Sequence, residues 1–258
     1  MKLTKTEMAE FEDNGFIIIR NLLNKKEIEK IHKVKEEMSE IAKEHTVDFK
    51  QNNAGFNLEP ADAINVLGER KGIKGKLRKV QEIFPEVEEF RNVCASDKVL
   101  DVVESIIGPE IYYHSSKLMC KQANGGIAKG WHQDRAYWSD MESNQVTVWY
   151  AIDPSTKENG CIQVKSGSHK FGILKHVNKG DFIIEDEVNA EDIFFAEMQP
   201  GDVLFFNTDL LHASAPNNTS KNRLACIVDF HDRSIAMNGS DFGSKEPIRS
   251  AKKDIALV

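Results

Sequence analysis

The sequence has few cysteines, no long hydrophobic run and no excess of positive charge. Its four cysteines form no Cys-x-x-Cys pair, which argues against a disulfide scaffold. The longest aliphatic stretches, such as Phe16–Ile19, are far shorter than the roughly 18 residues of a membrane-spanning helix. With 34 basic against 41 acidic residues, the net charge of −7 disfavours binding to a phosphate backbone. We therefore expect neither a nucleic-acid nor a membrane partner.

Targeting signals are also missing from the sequence. Residues 1–5 lack the apolar run of a signal peptide, and residues 255–258 match no known address. Most of the cysteines lie in apolar runs, as expected of buried free thiols in a reducing compartment. These features predict a cytoplasmic protein. The 14 Phe and 3 Trp exclude an intrinsically disordered chain.

The pattern along the chain changes near residue 110. Capping boxes at Thr4 and Asn24 begin two helices, further helices begin near Pro85 and Ser96, and residues 1–110 are predicted to be mostly helical support. Strand-like runs with Gly, Pro and Asn turns then follow: Ile111–Lys121, Gln145–Ile152, Cys161–Val164, Phe182–Ile184, Val203–Asn207 and Arg223–Phe230. We predict one domain over residues 1–258, mainly β with flanking helices, whose barrel core spans residues 111–235.

The segment Trp131-His132-Gln133-Asp134 is the first candidate for chemistry. Residues two apart in a strand face the same side, so His132 and Asp134 can offer an imidazole and a carboxylate to one metal. With eight histidines and 41 acidic residues, however, His-x-Asp/Glu is expected about once by chance. On spacing alone, a surface histidine near an aspartate is the simpler interpretation.

Two downstream histidines, His212 and His231, could supply a third ligand. His212 follows a turn and a buried strand at residues 200–206, and Arg223 then enters another apolar strand. A charged side chain among apolar neighbours needs an anionic partner. The simpler alternatives are a loop histidine and a strand-edge arginine that faces solvent.

Two histidines and one carboxylate form the facial triad of non-heme Fe(II) oxygenases. Such a metal keeps positions open for O₂ and for a 2-oxo acid, which chelates through its keto and carboxylate oxygens. The far carboxylate of that acid requires a cation, a role that suits Arg223. The hydroxyl of Ser214 could add a hydrogen bond.

At these residues the sequence resembles the phytanoyl-CoA dioxygenase family of Fe(II)- and 2-oxoglutarate-dependent oxygenases. The matching segments occur in order over nearly the whole chain: Asn14-Gly15-Phe16, Trp131–Asp134, Asn159-Gly160-Cys161, Gly167-Ser168-His169-Lys170, Pro200-Gly201-Asp202-Val203, His212-x-Ser214 and Arg223. The family often has Pro before Gly-Ser-His, where this chain has Ser166. That departure affects a turn rather than the chemistry.

The resemblance implies a double-stranded β-helix, a cupin-like jelly-roll barrel. It places Fe(II) on His132, Asp134 and His212. It places the far carboxylate of 2-oxoglutarate on Arg223 with Ser214 nearby, and it implies that Lys117 and Trp149 line the co-substrate pocket. Related halogenases carry a small residue at the carboxylate position, so the presence of Asp134 favours oxygen transfer.

Residues 123–138 surround the metal motif and are expected to contact substrate. Arg135, Tyr137 and Trp138 indicate a polar or anionic group beside an aromatic wall, although Arg135 could instead form a structural ion pair. The basic run Lys71–Lys79 is expected to be a solvated loop and helix face, with a contact for a phosphate, a CoA or an acidic carrier protein as the alternative. Gly72 and Gly75 in this run would suit a mobile lid, and Gln51–Asn57 is expected to be a loop and a second candidate lid.

We therefore predict an Fe(II)- and 2-oxoglutarate-dependent dioxygenase that uses O₂ and hydroxylates, or otherwise oxidises, an unactivated C–H bond of a small-molecule metabolite. The products of the co-substrate are succinate and CO₂. A non-catalytic metal- or ligand-binding barrel is the alternative, although it would have no need of all four of His132, Asp134, His212 and Arg223. A cupin-type hydrolase or isomerase would more naturally use three or four histidine ligands. The sequence leaves the substrate and the oligomeric state open.

Overall fold

The computed structural model describes residues 1–60, 72–138, 144–178, 182–184, 188–232, 244 and 246–250. Its α-helices are α1 Lys5–Asn14, α2 Lys25–Ala42, α3 Ile83–Glu86, α4 Glu88–Cys94 and α5 Asp97–Ile107. Both predicted capping boxes are present at the first turns of α1 and α2. Within the part of the chain described, no helix combines the length and apolar character needed to cross a membrane.

The strands form two main antiparallel sheets and a short hairpin. Their bounds are β1 Phe16–Ile19, β2 Phe49–Gln51, β3 Ala54–Pro60, β4 Gly72–Gln81, β5 Tyr112–Lys121, β6 Lys129–His132, β7 Gln145–Ala151, β8 Ile162–Lys165, β9 His176–Asn178, β10 Phe182–Ile184, β11 Ile193–Ala196, β12 Val203–Asn207, β13 His212–Ser214 and β14 Arg223–His231. The larger sheet has the order β1-β12-β7-β14-β5-β4-β3-β2, and the smaller has the order β11-β8-β13-β6.

Two hydrophobic clusters lie between the layers of the molecule. One lies between the sheets and combines Trp149, Leu204 and Phe206 of the larger sheet with Ile162 and Val164 of the smaller. The other packs the opposite face of the larger sheet against the helices, with Ile31 of α2 and Val103 of α5 fully buried. Two facing antiparallel sheets with helices on one outer face confirm the predicted jelly-roll architecture.

The structure corrects the expectation for residues 45–81. Gln51–Asn57 is not a loop, because it falls in the hairpin of β2 and β3, in which Phe56 is buried. The described part of the Lys71–Lys79 run is not a helix face, because it forms most of β4, which pairs with β3 and β5. Alternation in β4 places Lys76 outward and Leu77 inward, but the frequent charges obscure this pattern in the sequence. Lys71 lies outside the described residues.

All four cysteines are buried and free, as the sequence predicts. Burial raises the pKa of the Cys120 thiol to about 12, so the thiol is neutral and unreactive at physiological pH. The cysteines are therefore core residues rather than a redox site.

Candidate active site

The three predicted metal ligands meet where β6 ends and β13 begins. His132 is the last residue of β6, His212 is the first residue of β13, and the two are paired in register across these strands. Their ring centroids lie 4.1 Å apart. Asp134 follows two residues after His132, at the start of a 3₁₀ turn. Strand pairing thus brings a distant histidine beside the local His-x-Asp motif.

The ligand atoms of the three side chains converge on one point. Oδ1 of Asp134 lies 3.6 Å from Nε2 of His132 and 3.7 Å from Nε2 of His212. One ligand atom from each residue lies within 4.8 Å of those of the other two. All three residues are buried. Among the described residues, this group of histidine and carboxylate ligands has the geometry to hold a metal ion.

Backbone carbonyls fix the orientation of both imidazoles. Nδ1 of His132 lies 2.8 Å from the carbonyl oxygen of Gly130, and Nδ1 of His212 lies 2.9 Å from that of Leu210. Each Nδ1–H donates to its carbonyl, which leaves the lone pair of each Nε2 directed toward Asp134. Burial, followed by the neighbouring His212, holds the pKa of His132 well below its usual value. The imidazole is therefore neutral, as a metal ligand must be.

Asp134 is held through its second oxygen. Thr147 on β7 donates a hydrogen bond of 3.0 Å to Oδ2 of Asp134, and Oγ1 of Thr147 also lies 2.7 Å from Oδ1 of Asp229 on β14. Asp229 is 1% exposed and accepts a hydrogen bond from the hydroxyl of Ser115. Its other oxygen lies 3.9 Å from Nζ of Lys117. A buried polar network thus supports the carboxylate ligand from the larger sheet.

Lys117 lies in this network on β5, where a role in the co-substrate pocket is predicted for it. Burial raises the pKa of Asp229, whereas the nearby ammonium of Lys117 opposes that rise. The side chain of Lys117 keeps 27% of its surface exposed, in contrast to 2% for Asp229. The ammonium of Lys117 therefore interacts electrostatically with the buried carboxylate of Asp229, while part of the lysine side chain remains exposed.

A second polar group surrounds Arg223, the first residue of β14. Arg223 is 4% exposed, and its guanidinium lies over the ring of Trp149 at 5.1 Å. Its Nε and Nη1 atoms find no hydrogen-bond acceptor among the described residues. Burial lowers the pKa of Arg223 to about 10, so the group stays charged at neutral pH. A buried cation with unused donors has the chemistry of an anion-binding site.

Ser214 and Lys121 complete this group. Ser214 lies two residues after His212 on β13, and its Oγ accepts a hydrogen bond of 2.8 Å from Nζ of Lys121. Lys121 is paired in register with Arg223 across β5 and β14 and also donates to the carbonyl of Ala215. We refer to Arg223, Lys121, Ser214 and Trp149 as the anion cradle.

Gly160 allows the close packing beside the anion cradle. This residue, at φ +75°, is the middle residue of the matched Asn159-Gly160-Cys161 segment. A Cβ added there would lie 2.2 Å from the carbonyl oxygen of Ala215 and 2.9 Å from Nζ of Lys121. Both the left-handed backbone and the approach of the neighbouring strand therefore require glycine.

The Gly-Ser-His segment supports the site without contributing a ligand. Oγ of Ser168 accepts a hydrogen bond of 2.9 Å from the amide of Leu211, next to His212. The ring of His169 reaches back to the carbonyl of Glu12 at 3.1 Å. This segment therefore stabilises the start of β13.

The predicted substrate residues have different surroundings. Both Nε and Nη2 of Arg135 donate to the carboxylate of Asp209, a bidentate pair that engages the guanidinium within the protein. As a substrate cation Arg135 stays a prediction, and this pair counts against it. Trp138 contacts the buried ring of His114, with 4.3 Å between centroids. His231, the competing third ligand, stacks on Tyr112 instead of joining the metal group.

Sequence reasoning missed Thr147, Asp229 and Lys121. Each is a polar residue in a strand of the larger sheet. Alternation places Thr147 on the same face of β7 as Trp149, Asp229 on the same face of β14 as Arg223, and Lys121 on the same face of β5 as Lys117. That alternation is the signal that could have identified them.

A model of the protein family described as phytanoyl-CoA dioxygenase (PhyH) matches residues 11–225. The peroxisomal phytanoyl-CoA dioxygenase of Homo sapiens is 27% identical over 240 residues, which cover 88% of this chain and 68% of the human protein. The methylphosphonate hydroxylase of Gimesia maris is 26% identical over 232 residues, which cover 89% of this chain and 81% of that enzyme.

Solved structures share the fold at low sequence identity. EvdO2 from Micromonospora carbonacea var. aurantiaca, complexed with 2-oxoglutarate, aligns with a TM-score of 0.67 and 17% identity over 93% of this chain and 95% of that chain. EctD from S. alaskensis with bound Fe aligns with a TM-score of 0.67 and 19% identity over 89% of this chain and 76% of that chain. These similarities confirm the predicted barrel.

Proposed function

The chain belongs to the phytanoyl-CoA dioxygenase family, whose members are Fe(II)- and 2-oxoglutarate-dependent oxygenases, and we propose that it hydroxylates an unactivated C–H bond of a small-molecule metabolite. The co-substrates are O₂ and 2-oxoglutarate, and the co-products are succinate and CO₂. A non-catalytic binding barrel is the alternative to be tested.

The spacing between the metal group and the anion cradle supports this proposal most directly. On β7, Thr147 is hydrogen-bonded to the metal ligand Asp134, and Trp149, two residues further on, lies against Arg223 of the anion cradle. On β13, the metal ligand His212 and the cradle residue Ser214 are also two residues apart. Two residues along a strand span about 7 Å. That separation suits a five-carbon dicarboxylate whose one end reaches the metal while the other reaches the cradle.

The donor set fits Fe(II). Two neutral imidazoles and one carboxylate form a face that leaves other positions open. When bound by His132, Asp134 and His212, the metal supplies the activation of O₂ that a C–H bond requires. The protein positions the ligands through Gly130, Leu210 and Thr147, and it excludes water by burying all three ligands.

Arg223 is proposed to bind the far carboxylate of 2-oxoglutarate. Its unused donors can form a charge-assisted, bidentate pair with this group, while Ser214 donates a further hydrogen bond. Trp149 holds the guanidinium in place through its ring face. Asp134 occupies the carboxylate position, and this favours oxygen transfer over halogenation.

A compact acid is proposed as the substrate in preference to a CoA thioester. Trp138 lies in the 3₁₀ turn that begins at Asp134, and its ring and that of the buried His114 form an aromatic wall. The concentrated basic residues lie instead on β4, where Lys74 is paired with Glu44 at 2.6 Å. A CoA moiety would require those residues as its phosphate contact.

Substrate-stimulated conversion of 2-oxoglutarate to succinate tests the proposal. Fe(II)-loaded protein is incubated with pairs of free acids and their CoA thioesters, and succinate is measured against a His132→Ala control. Succinate formation in the wild type, lost in the control, is expected. Binding of 2-oxoglutarate with no consumption under any condition would support the non-catalytic alternative. Turnover confined to thioesters, and lost when Lys74, Lys76 and Arg78 are neutralised together, would overturn the substrate assignment.

A further inference from the structure

Lys121 is a buried cation that the metal group does not use. It is 7% exposed, and its Nζ donates to Oγ of Ser214 and to the carbonyl of Ala215. Its register partner is Arg223, so two buried cations lie side by side at one end of the barrel. No described carboxylate forms an ion pair with either of them.

Two adjacent cations without an anion are unfavourable in a buried site, because each disfavours the charge of the other. Such an arrangement is stabilised by an anionic ligand. Arg223 offers its unused Nε and Nη1 donors to that ligand, whereas the ammonium of Lys121 is already directed at Ser214 and Ala215. Lys121 therefore acts on the ligand through a neighbour.

The hydrogen bond between Lys121 and Ser214 determines where the serine proton points. A hydroxyl has one donor and two acceptor sites, and Lys121 occupies an acceptor site of Ser214. The single O–H of Ser214 is then free to donate to another group. We propose that Lys121 is a positioning residue for the co-substrate: it orients Ser214 so that its hydroxyl donates to the far carboxylate of 2-oxoglutarate.

This inference rests on the proposed binding of 2-oxoglutarate, and it adds that Lys121 strengthens this binding through Ser214. The close approach of Gly160 leaves the ammonium little room to move away from Ser214. Removal of Lys121 would leave the hydroxyl free to rotate toward the carbonyl of Ala215. The carboxylate would then lose one hydrogen bond while its contact with Arg223 remained.

A double-mutant cycle tests the route through Ser214. Binding of 2-oxoglutarate to Mn(II)-loaded protein is measured by isothermal titration calorimetry for the wild type, Lys121→Met, Ser214→Ala and the double variant. Each single variant is expected to weaken binding about tenfold. The double variant is expected to be no more than about twofold weaker than either, because both changes remove the same hydrogen bond. Additive losses would overturn the proposal.

Two further variants separate positioning from other effects. Lys98→Met removes a partly buried ammonium that pairs with Glu27 on the helical side, and it should leave the affinity unchanged. Lys121→Gln keeps a donor for Ser214 without the charge, and an affinity within about threefold of the wild type is expected. Lys121→Gln also tests the proposal if Lys121→Met does not fold. A tenfold loss of 2-oxoglutarate affinity in folded Lys121→Gln would show that Lys121 acts through its charge and not by positioning Ser214.

Binding of 2-oxoglutarate to the wild-type protein distinguishes failure of this inference from failure of the proposed function. If wild-type protein does not bind 2-oxoglutarate, the proposed function is wrong. If it binds and Lys121→Met binds equally well, only the role of Lys121 is wrong.

Discussion

The hydroxyl of Thr147 donates to Oδ2 of Asp134, while Oδ1 of the same carboxylate faces the two imidazoles. The two oxygens of the ligand therefore have different roles, one directed at the metal position and the other fixed by the larger sheet. Thr147 thus connects the two sheets at the point where the chemistry is proposed to occur.

Replacement of Thr147 by Val should weaken metal binding. The change removes the donor to Asp134 at nearly constant volume, and loss of such supporting contacts typically costs 10–100-fold in metal affinity. We expect at least a tenfold rise in the dissociation constant for Mn(II), measured by calorimetry. Thr147→Ser keeps the hydroxyl and serves as the matched control. Equal affinities for Val and wild type would show that Asp134 needs no such support.

Substitution of any proposed ligand should abolish both metal binding and turnover. His132→Ala, Asp134→Ala and His212→Ala each leave two of three ligands, which is too few for a stable site. Metal content after loading with Fe(II) under anaerobic conditions is the measurement. His231→Ala is the control and should retain the metal, since His231 lies outside the ligand group. The reverse pattern for His212 and His231 would move the third ligand.

Arg223→Ala should raise the 2-oxoglutarate concentration required for turnover by about tenfold or more. Hydrogen bonds to charged groups contribute roughly 1.5–3 kcal/mol, which corresponds to this range. Arg223→Lys should restore only part of the affinity, because an ammonium cannot form the bidentate pair or stack on Trp149 in the same way. Steady-state kinetics with varied 2-oxoglutarate provide the test, and an unchanged requirement in Arg223→Ala would remove this residue from the site.

Binding of 2-oxoglutarate should weaken as the pH rises above about 7. Burial, followed by Arg223, lowers the pKa of Lys121 to about 7 in the free protein, while Cys161 before β8 and Glu59 on β3 favour the charged form. An added anion raises this pKa, so binding takes up a proton once the pH exceeds the free-state value. The affinity is therefore full below pH 7 and declines above it, by no more in total than the roughly threefold loss expected when Lys121→Gln removes the charge.

Calorimetry in buffers of different ionisation enthalpy measures this proton uptake directly. At pH 8 the wild type should take up protons on binding 2-oxoglutarate, and Lys121→Gln should take up fewer because it lacks the titrating amine. Identical uptake in the two proteins would assign the pH dependence to another group.

Tyr150→Phe should lower stability without changing co-substrate binding. The hydroxyl of Tyr150 on β7 donates a hydrogen bond of 2.6 Å to the carbonyl of Cys94 at the end of α4, and the ring is fully buried. Loss of this donor leaves a buried carbonyl unpaired, which costs about 1–3 kcal/mol. Urea unfolding of the metal-free protein should report this loss, while calorimetry of 2-oxoglutarate binding should be unaffected. Unchanged stability would mean that the contact adds nothing to the packing of α4 on the sheet.

The local parts of the fold and site are determined by the sequence. Capping boxes at Thr4 and Asn24 begin helices because each involves residues only three apart. His132 and Asp134 are likewise close in sequence, so their joint role is predictable from spacing. The apolar runs of β5, β7, β12 and β14 identify these strands because buried strands need continuous apolar faces.

Only the tertiary structure decided which distant residues meet. His212 joins His132 because β13 pairs with β6. Apart from the family resemblance, spacing alone does not distinguish His212 from His231 as the third ligand. The hydrogen-bond partners of Thr147 and Asp229 lie on other elements of the fold. Their contacts depend on strand order and register, which are properties of the whole sheet. The strands β2–β4 are not evident from local pattern for a related reason: they contain many polar and charged residues near the sheet edge. They form because β4 pairs with β5, β3 with β4, and β2 with β3.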